Sequence, residues 1–118
     1  MTIQVYHYPK CTTCKKALKW FKDADIAAEA HDITTETPTK EQLRQFYEQS
    51  GVPLKKFFNT SGMKYRELQL KDRLPEMSED EQLALLASDG MLIKRPLTTD
   101  GKNVTLGFKE QEFEDKWK

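Results

Sequence analysis

The chain has 118 residues, with 19 basic and 19 acidic side chains that cancel to a formal net charge of zero. That length suits one domain, residues 1–118, able to bury a core without a metal or disulfide staple. The interspersed charge excludes a one-signed field that would gather nucleic acid or an anionic membrane, and no apolar run approaches a membrane span. The opening Met1-Thr2-Ile3-Gln4-Val5 lacks the basic start and apolar run of a secretory leader. A cytoplasmic location is therefore expected, where thiols are held reduced.

In chain order, Ile3 to Tyr8 alternates and is rich in β-branched and aromatic types, and Pro9 stops it, so a first strand is placed there. From Thr12 onward Cys14, Leu18 and Phe21 recur at helical spacing with Ala17 beside them, while Lys15, Lys16, Lys19 and Lys22 take other faces. This predicts a first helix with Cys14 facing inward. A weak second strand is expected within Asp25 to Ile33. A helix follows from about Thr39 to Gln49, started by Thr37-Pro38-Thr39 with Gln42 and stopped at Ser50-Gly51.

Between Pro53 and Leu74 the apolar Leu54, Phe57, Phe58, Tyr65, Leu68 and Leu70 are interrupted by Asn59-Thr60-Ser61-Gly62, which predicts two short helices. Phe57 and Phe58 read either as core anchors or, if exposed, as a partner surface. Ser78 with Glu81 forms a capping box for a further helix that ends at Asp89-Gly90, and Met91-Leu92-Ile93 reads as a third strand. Asp100-Gly101 predicts a hairpin to a fourth strand at Val104-Thr105-Leu106, antiparallel to the third. Lys109 to Trp117 closes as a helix with Phe113 and Trp117 packed inward.

The chemistry concentrates in Cys11-Thr12-Thr13-Cys14, which carries the chain's only two cysteines. Two intervening residues at the first turn of a helix let the sulfurs approach within bonding distance, and the unpaired amides there favour a thiolate. Cys11 reads as nucleophile and Cys14 as resolving thiol, with Lys10 and the Thr13 amide near an incoming anion. A zinc half-site is the rival, but a structural site takes four protein ligands and only His7 and His31 remain to add. Both histidines suit packed or surface positions. Arg95 is either a fixed positive charge at the site or one partner of a surface ion pair.

Three blocks carry a resemblance: Tyr8-Pro9-Lys10-Cys11-Thr12-Thr13-Cys14-Lys15-Lys16-Ala17, Phe57-Phe58-Asn59-Thr60-Ser61-Gly62-Met63-Lys64-Tyr65-Arg66-Glu67-Leu68 and Leu92-Ile93-Lys94-Arg95-Pro96-Leu97. With them the chain resembles the family of glutaredoxin-type arsenate reductases (ArsC) and Spx regulators over its full length. The resemblance implies an α/β, thioredoxin-like fold: a mixed four-stranded sheet with a helical insertion, about residues 38–88, between its halves. It also implies a cis Arg95-Pro96 bond facing the cysteines, with Arg95 and Pro96 shaping the substrate groove.

The resemblance leaves two functional readings open. Arsenate reductases of this type hold the oxyanion with three arginines; here only Arg95 matches, Asn59 stands at the first position, and no arginine follows Arg95. Loss of charge-assisted contacts of roughly 1.5–3 kcal/mol each would weaken anion binding by two or more powers of ten, so arsenate is not the expected substrate. A thiol–disulfide redox protein reset by an external thiol of the glutathione, glutaredoxin or thioredoxin type is expected, with no bound cofactor and no metal. The alternative is an Spx-like redox sensor that binds RNA polymerase through the C-terminal domain of its alpha subunit. The glycine at that contact corresponds to Gly51, which is equally a glycine ending a helix. No heptad pattern calls for more than a monomer.

Overall fold

The computed structural model describes residues 2–118. Four strands, β1 (Ile3–His7), β2 (Ala28–Asp32), β3 (Leu97–Thr99) and β4 (Val104–Leu106), form one sheet in the order β2-β1-β3-β4. β1 runs parallel to β2, and β3 runs antiparallel to both β1 and β4. The parallel β1-β2 pair needs a crossover, and α1 (Thr12–Asp23) supplies it. The sheet is mixed, as expected.

Alternation along β1 divides the core. Ile3 and Val5 point to one face, where Ala17 and Phe21 of α1 meet Phe113 and Trp117 of α6 (Glu110–Trp117). Tyr6 points to the other, into a larger cluster with Leu43 and Phe46 of α2 (Lys40–Ser50), Phe57, Phe58 and the leucines of α5 (Glu79–Ser88). Phe57 and Phe58 are core anchors, at 0% and 1% exposure, so the partner-surface reading falls.

Both capping boxes form: Thr39 accepts from the Gln42 amide at 3.1 Å, and Ser78 accepts from the Glu81 amide at 3.1 Å. In each, the cap amide in turn donates to the side-chain oxygen of Gln42 or Glu81, so two otherwise unpaired donors are satisfied per helix. Boundaries shift elsewhere. The first strand ends at His7, one residue short of Tyr8. The second is confined to Ala28–Asp32, because the chain turns at Asp25 with φ +59°. The region after Pro53 breaks into more pieces than two: a 3-10 turn at Leu54–Phe57, α3 (Met63–Glu67), α4 (Leu70–Arg73) and a 3-10 turn at Leu74–Glu76.

Met91-Leu92-Ile93 is not a strand. The Asp89 carboxylate accepts from the Met91 amide at 2.9 Å, and the amides of Leu92 and Ile93 turn back to the carbonyls of Asp89 and Gly90, winding Gly90–Leu92 into a 3-10 turn. Leu92 and Ile93 are apolar because they are buried, at 1% and 0% exposure, and Ile93 makes only an isolated bridge to Phe58. The strand begins after Pro96, whose bond to Arg95 is cis. Leu97-Thr98-Thr99 then pairs with β1 on one side and β4 on the other, so the hairpin through Asp100-Gly101 stands as expected.

One glycine fixes where this segment lies. A Cβ on Gly90 would stand 2.1 Å from the Ile33 carbonyl oxygen, so only glycine lets the 90–97 stretch close down on the end of β2.

Candidate functional site: a thiol at the mouth of a basic cleft

Cys11 is the N-cap of α1, with extended backbone (φ −86°, ψ 116°), and its sulfur accepts the Cys14 amide at 3.3 Å. The Cys11 carbonyl takes the Lys15 amide at 3.1 Å, the first bond of the helix, and its own amide donates to the Tyr8 carbonyl at 2.9 Å. A sulfur thus occupies the place where Ser, Asp or Thr usually accepts an orphan helix amide. Cys11 is part-exposed, Cys14 is fully buried, and both thiols are free.

Three residues of separation put the thiols in opposite electrostatic settings. Burial pushes the Cys11 thiol up, but hydrogen bonds from the Cys14 thiol and amide, followed by the Arg95 charge, outweigh it and hold Cys11 below the ordinary thiol value. Burial, reinforced by its hydrogen bond to Cys11, pushes Cys14 up to about 12. The pair therefore has one thiol eased toward its thiolate and one held protonated.

Arg95 is held from two sides. Its guanidinium carbon lies 5.2 Å from the centre of the Tyr8 ring, and one terminal nitrogen donates to the Met91 carbonyl at 3.3 Å. Stacking on an aromatic face with a backbone anchor fixes the charge beside Cys11 rather than leaving it to a surface carboxylate.

Cys11, Thr13 and Arg95 line a cleft of about 450 Å³, together with Asn59, Lys64, Met91 and Lys94. Its lining includes two lysines and one arginine and no carboxylate. Residues from Asn59 to Lys64 form one wall of the cleft, and their segment is tied to the Arg95 segment by Asn59 N–H to the Leu92 carbonyl at 2.8 Å and Lys94 N–H to the Phe57 carbonyl at 2.7 Å. Asn59 lines the same cleft as Cys11. Val104 to Phe108, near which the family resemblance places a third arginine, do not line this cleft.

Other expected site residues lie apart. Lys10 is exposed on the turn before Cys11 and does not line the cleft. Pro96 is buried and does not line the cleft, its carbonyl accepting the Gly107 amide at 2.9 Å. Gly51 caps α2 with φ +70°, exposed on a different part of the surface from the cleft. His31 stacks on Tyr6 at 5.2 Å and contacts Glu36 and Gln4. Among the described residues no three His, Cys, Asp or Glu side chains group as a metal site. Sequence reasoning missed Tyr8 and Met91 as the supports of Arg95; an aromatic three residues before the first cysteine was the available signal.

The family model for the ArsC family matches residues 6–116. The chain belongs to the ArsC family. Its relatives include the uncharacterized protein YusI of Bacillus subtilis (strain 168), 62% identical over 99% of each chain. The regulatory protein MgsR of the same organism is 30% identical, over 92% of this chain and 84% of its own length. A crystal structure of a possible arsenate reductase from Streptococcus mutans UA159 superposes with a TM-score of 0.89 at 43% identity, covering 96% of this chain and 98% of that one. The mixed sheet with its helices is the thioredoxin-like ArsC fold. The chain is thus similar both to a possible arsenate reductase and to a regulatory protein.

Proposed function

We propose that this ArsC-family protein is a cytoplasmic thiol–disulfide oxidoreductase, with Cys11 as nucleophile and Cys14 as resolving thiol. The observation that carries the reading is the capping of α1 by the Cys11 sulfur, beside a pinned Arg95 and a sealed Cys14. Cys11 thiolate attacks one sulfur of a substrate disulfide; the Cys11–substrate S–S bond forms, the substrate S–S bond breaks, and the other half leaves as thiolate. Cys14 then attacks the Cys11 sulfur, giving up its proton to the departing second half. The products are two reduced substrate thiols and a Cys11–Cys14 disulfide. An external thiol of the glutathione, glutaredoxin or thioredoxin type supplies the two electrons that reset the pair.

Arsenate is not the substrate on this reading. Asn59 offers a neutral amide where an arginine would clamp the oxyanion, and Lys64 and Lys94 lack the guanidinium fork. In a coupled assay with a small aromatic disulfide, Cys11→Ser falls to the uncatalysed rate and Cys14→Ala accumulates a mixed disulfide at Cys11, read by intact mass. Wild-type protein that exchanges no faster than free thiol overturns the assignment.

A second reading is a redox-sensing regulator. Similarity to MgsR supports it, as does Gly51, whose exposed left-handed turn has open space where a Cβ would stand. In that case the Cys11–Cys14 disulfide biases binding to RNA polymerase, at the C-terminal domain of its alpha subunit. Capture of that domain by the oxidised but not the reduced protein, with no disulfide turnover, selects this reading.

A further inference from the structure

A second groove, about 800 Å³, adjoins the thiol cleft; Lys94 lines both. Five lysines, Lys55, Lys56, Lys94, Lys109 and Lys116, border it against a single acid, Glu112. Among the described residues none of the five takes part in an ion pair, although the chain as a whole is neutral. Concentrating unpaired cations in one place costs self-repulsion and favours an anionic partner there.

Its lining sets these cations beside apolar side chains, Phe58, Val104 and Leu106 among them. All three residues of the edge strand β4 line the groove, but Val104 and Thr105 are buried, so β4 forms a wall of the groove rather than an open edge, and an occupant is held by the charged margins. Val52 adds an apolar contact at the far side; with Met63 of the thiol cleft it is one of two large hydrophobic residues left exposed among those described. An apolar floor with charged margins fits a peptide better than an inorganic anion, for which the groove is far too large.

We propose that this groove docks an extended acidic segment of a protein substrate and delivers that protein's disulfide past Lys94 to Cys11. The inference rests on the oxidoreductase reading above and names its substrate class. Cys11 needs only the cleft, while the groove selects which disulfides arrive.

The test uses three peptides, each bearing one cysteine as a mixed disulfide with a chromogenic aromatic thiol and flanked by Asp/Glu, Ser/Thr or Lys. The acidic peptide is reduced with a kcat/KM about tenfold above the neutral one at low salt, carried by KM, and the advantage disappears at high salt. In the Lys109→Glu/Lys116→Glu variant the acidic-to-neutral ratio falls to about one or below, whereas Lys22→Glu, on α1 and outside the groove lining, keeps it. Equal turnover of acidic and basic peptides overturns the groove and leaves the oxidoreductase reading standing. Fluorescence anisotropy of a cysteine-free acidic peptide decides the groove even if no disulfide is turned over: binding lost in the double variant supports it. Absent binding, or a short single-stranded DNA that binds more tightly, overturns it.

Discussion

The opening of α1 and the 54–76 segment, which contributes residues from Asn59 to Lys64, border one cleft and are held in place by unlike means. The first is local: a sulfur caps the helix, the Cys11 carbonyl starts its hydrogen-bond ladder, and Ala17 and Phe21 bury its inner face. The second is a run of four short pieces, none longer than five residues and none with a side-chain cap. Its order comes from burying Phe57, Phe58, Tyr65, Leu70 and Leu74, and from the backbone bonds that tie it to the Arg95 segment. Short helices contribute little stability on their own, so the wall of the cleft stands only while its anchors are packed. The nucleophile can therefore keep its chemistry while the surface that receives substrate is altered independently.

The largest break in that contrast is Phe57→Ala. Phe57 is fully buried, and its loss should cost about 3–5 kcal/mol, read as a lowered urea midpoint. Under native conditions the alkylation profile of Cys11 should hardly move, since its capping bond lies within α1; a large shift would show the two regions to be one unit. Gly90→Ala comes next, at about 1–3 kcal/mol, because the new methyl meets the Ile33 backbone rather than a side chain that can swing away. It also displaces the Arg95 segment, so exchange by Cys11 should slow together with the loss of stability.

Arg95→Ala sharpens the comparison on the α1 side. Removing the guanidinium takes away one of the influences that lower the Cys11 pKa, so the midpoint of Cys11 alkylation should move to higher pH, while Arg95→Lys keeps part of the effect. Cys14 should resist alkylation until strongly alkaline pH or unfolding. Because its folded value, about 12, lies above its ordinary one of 9.0, its contribution to stability is present below the ordinary value and is lost as pH rises from there through the folded value. The smallest effect is Gly51→Ala, about 1 kcal/mol from the positive φ alone, with no change in exchange kinetics.

The α1 side was legible because its signals are local: alternation before Pro9, helical spacing from Cys14 to Phe21, and a Cys-x-x-Cys at the junction. Both capping boxes and the Asp-Gly hairpin were legible for the same reason. The strand around Met91 was misread since a short buried apolar run looks alike whether it pairs in a sheet or packs as a turn, and what decided it was the Asp89 side chain capturing the Met91 amide. The place of Arg95 in the site followed from family resemblance, but the stacking on Tyr8 that fixes it joins residues 87 positions apart, counting from 8 to 95, and no pattern along the chain announces it.

Complete burial of Cys14 makes the reaction a one-door room. No outside sulfur can strike it, so on the proposed mechanism every partner, incoming oxidant or outgoing reductant alike, must be received at Cys11 alone. Order of events is then enforced by access rather than by relative affinity: the inner thiol acts only upon a visitor already tethered to its neighbour, and the resting pair is spared from being capped at both sulfurs by the same reagent.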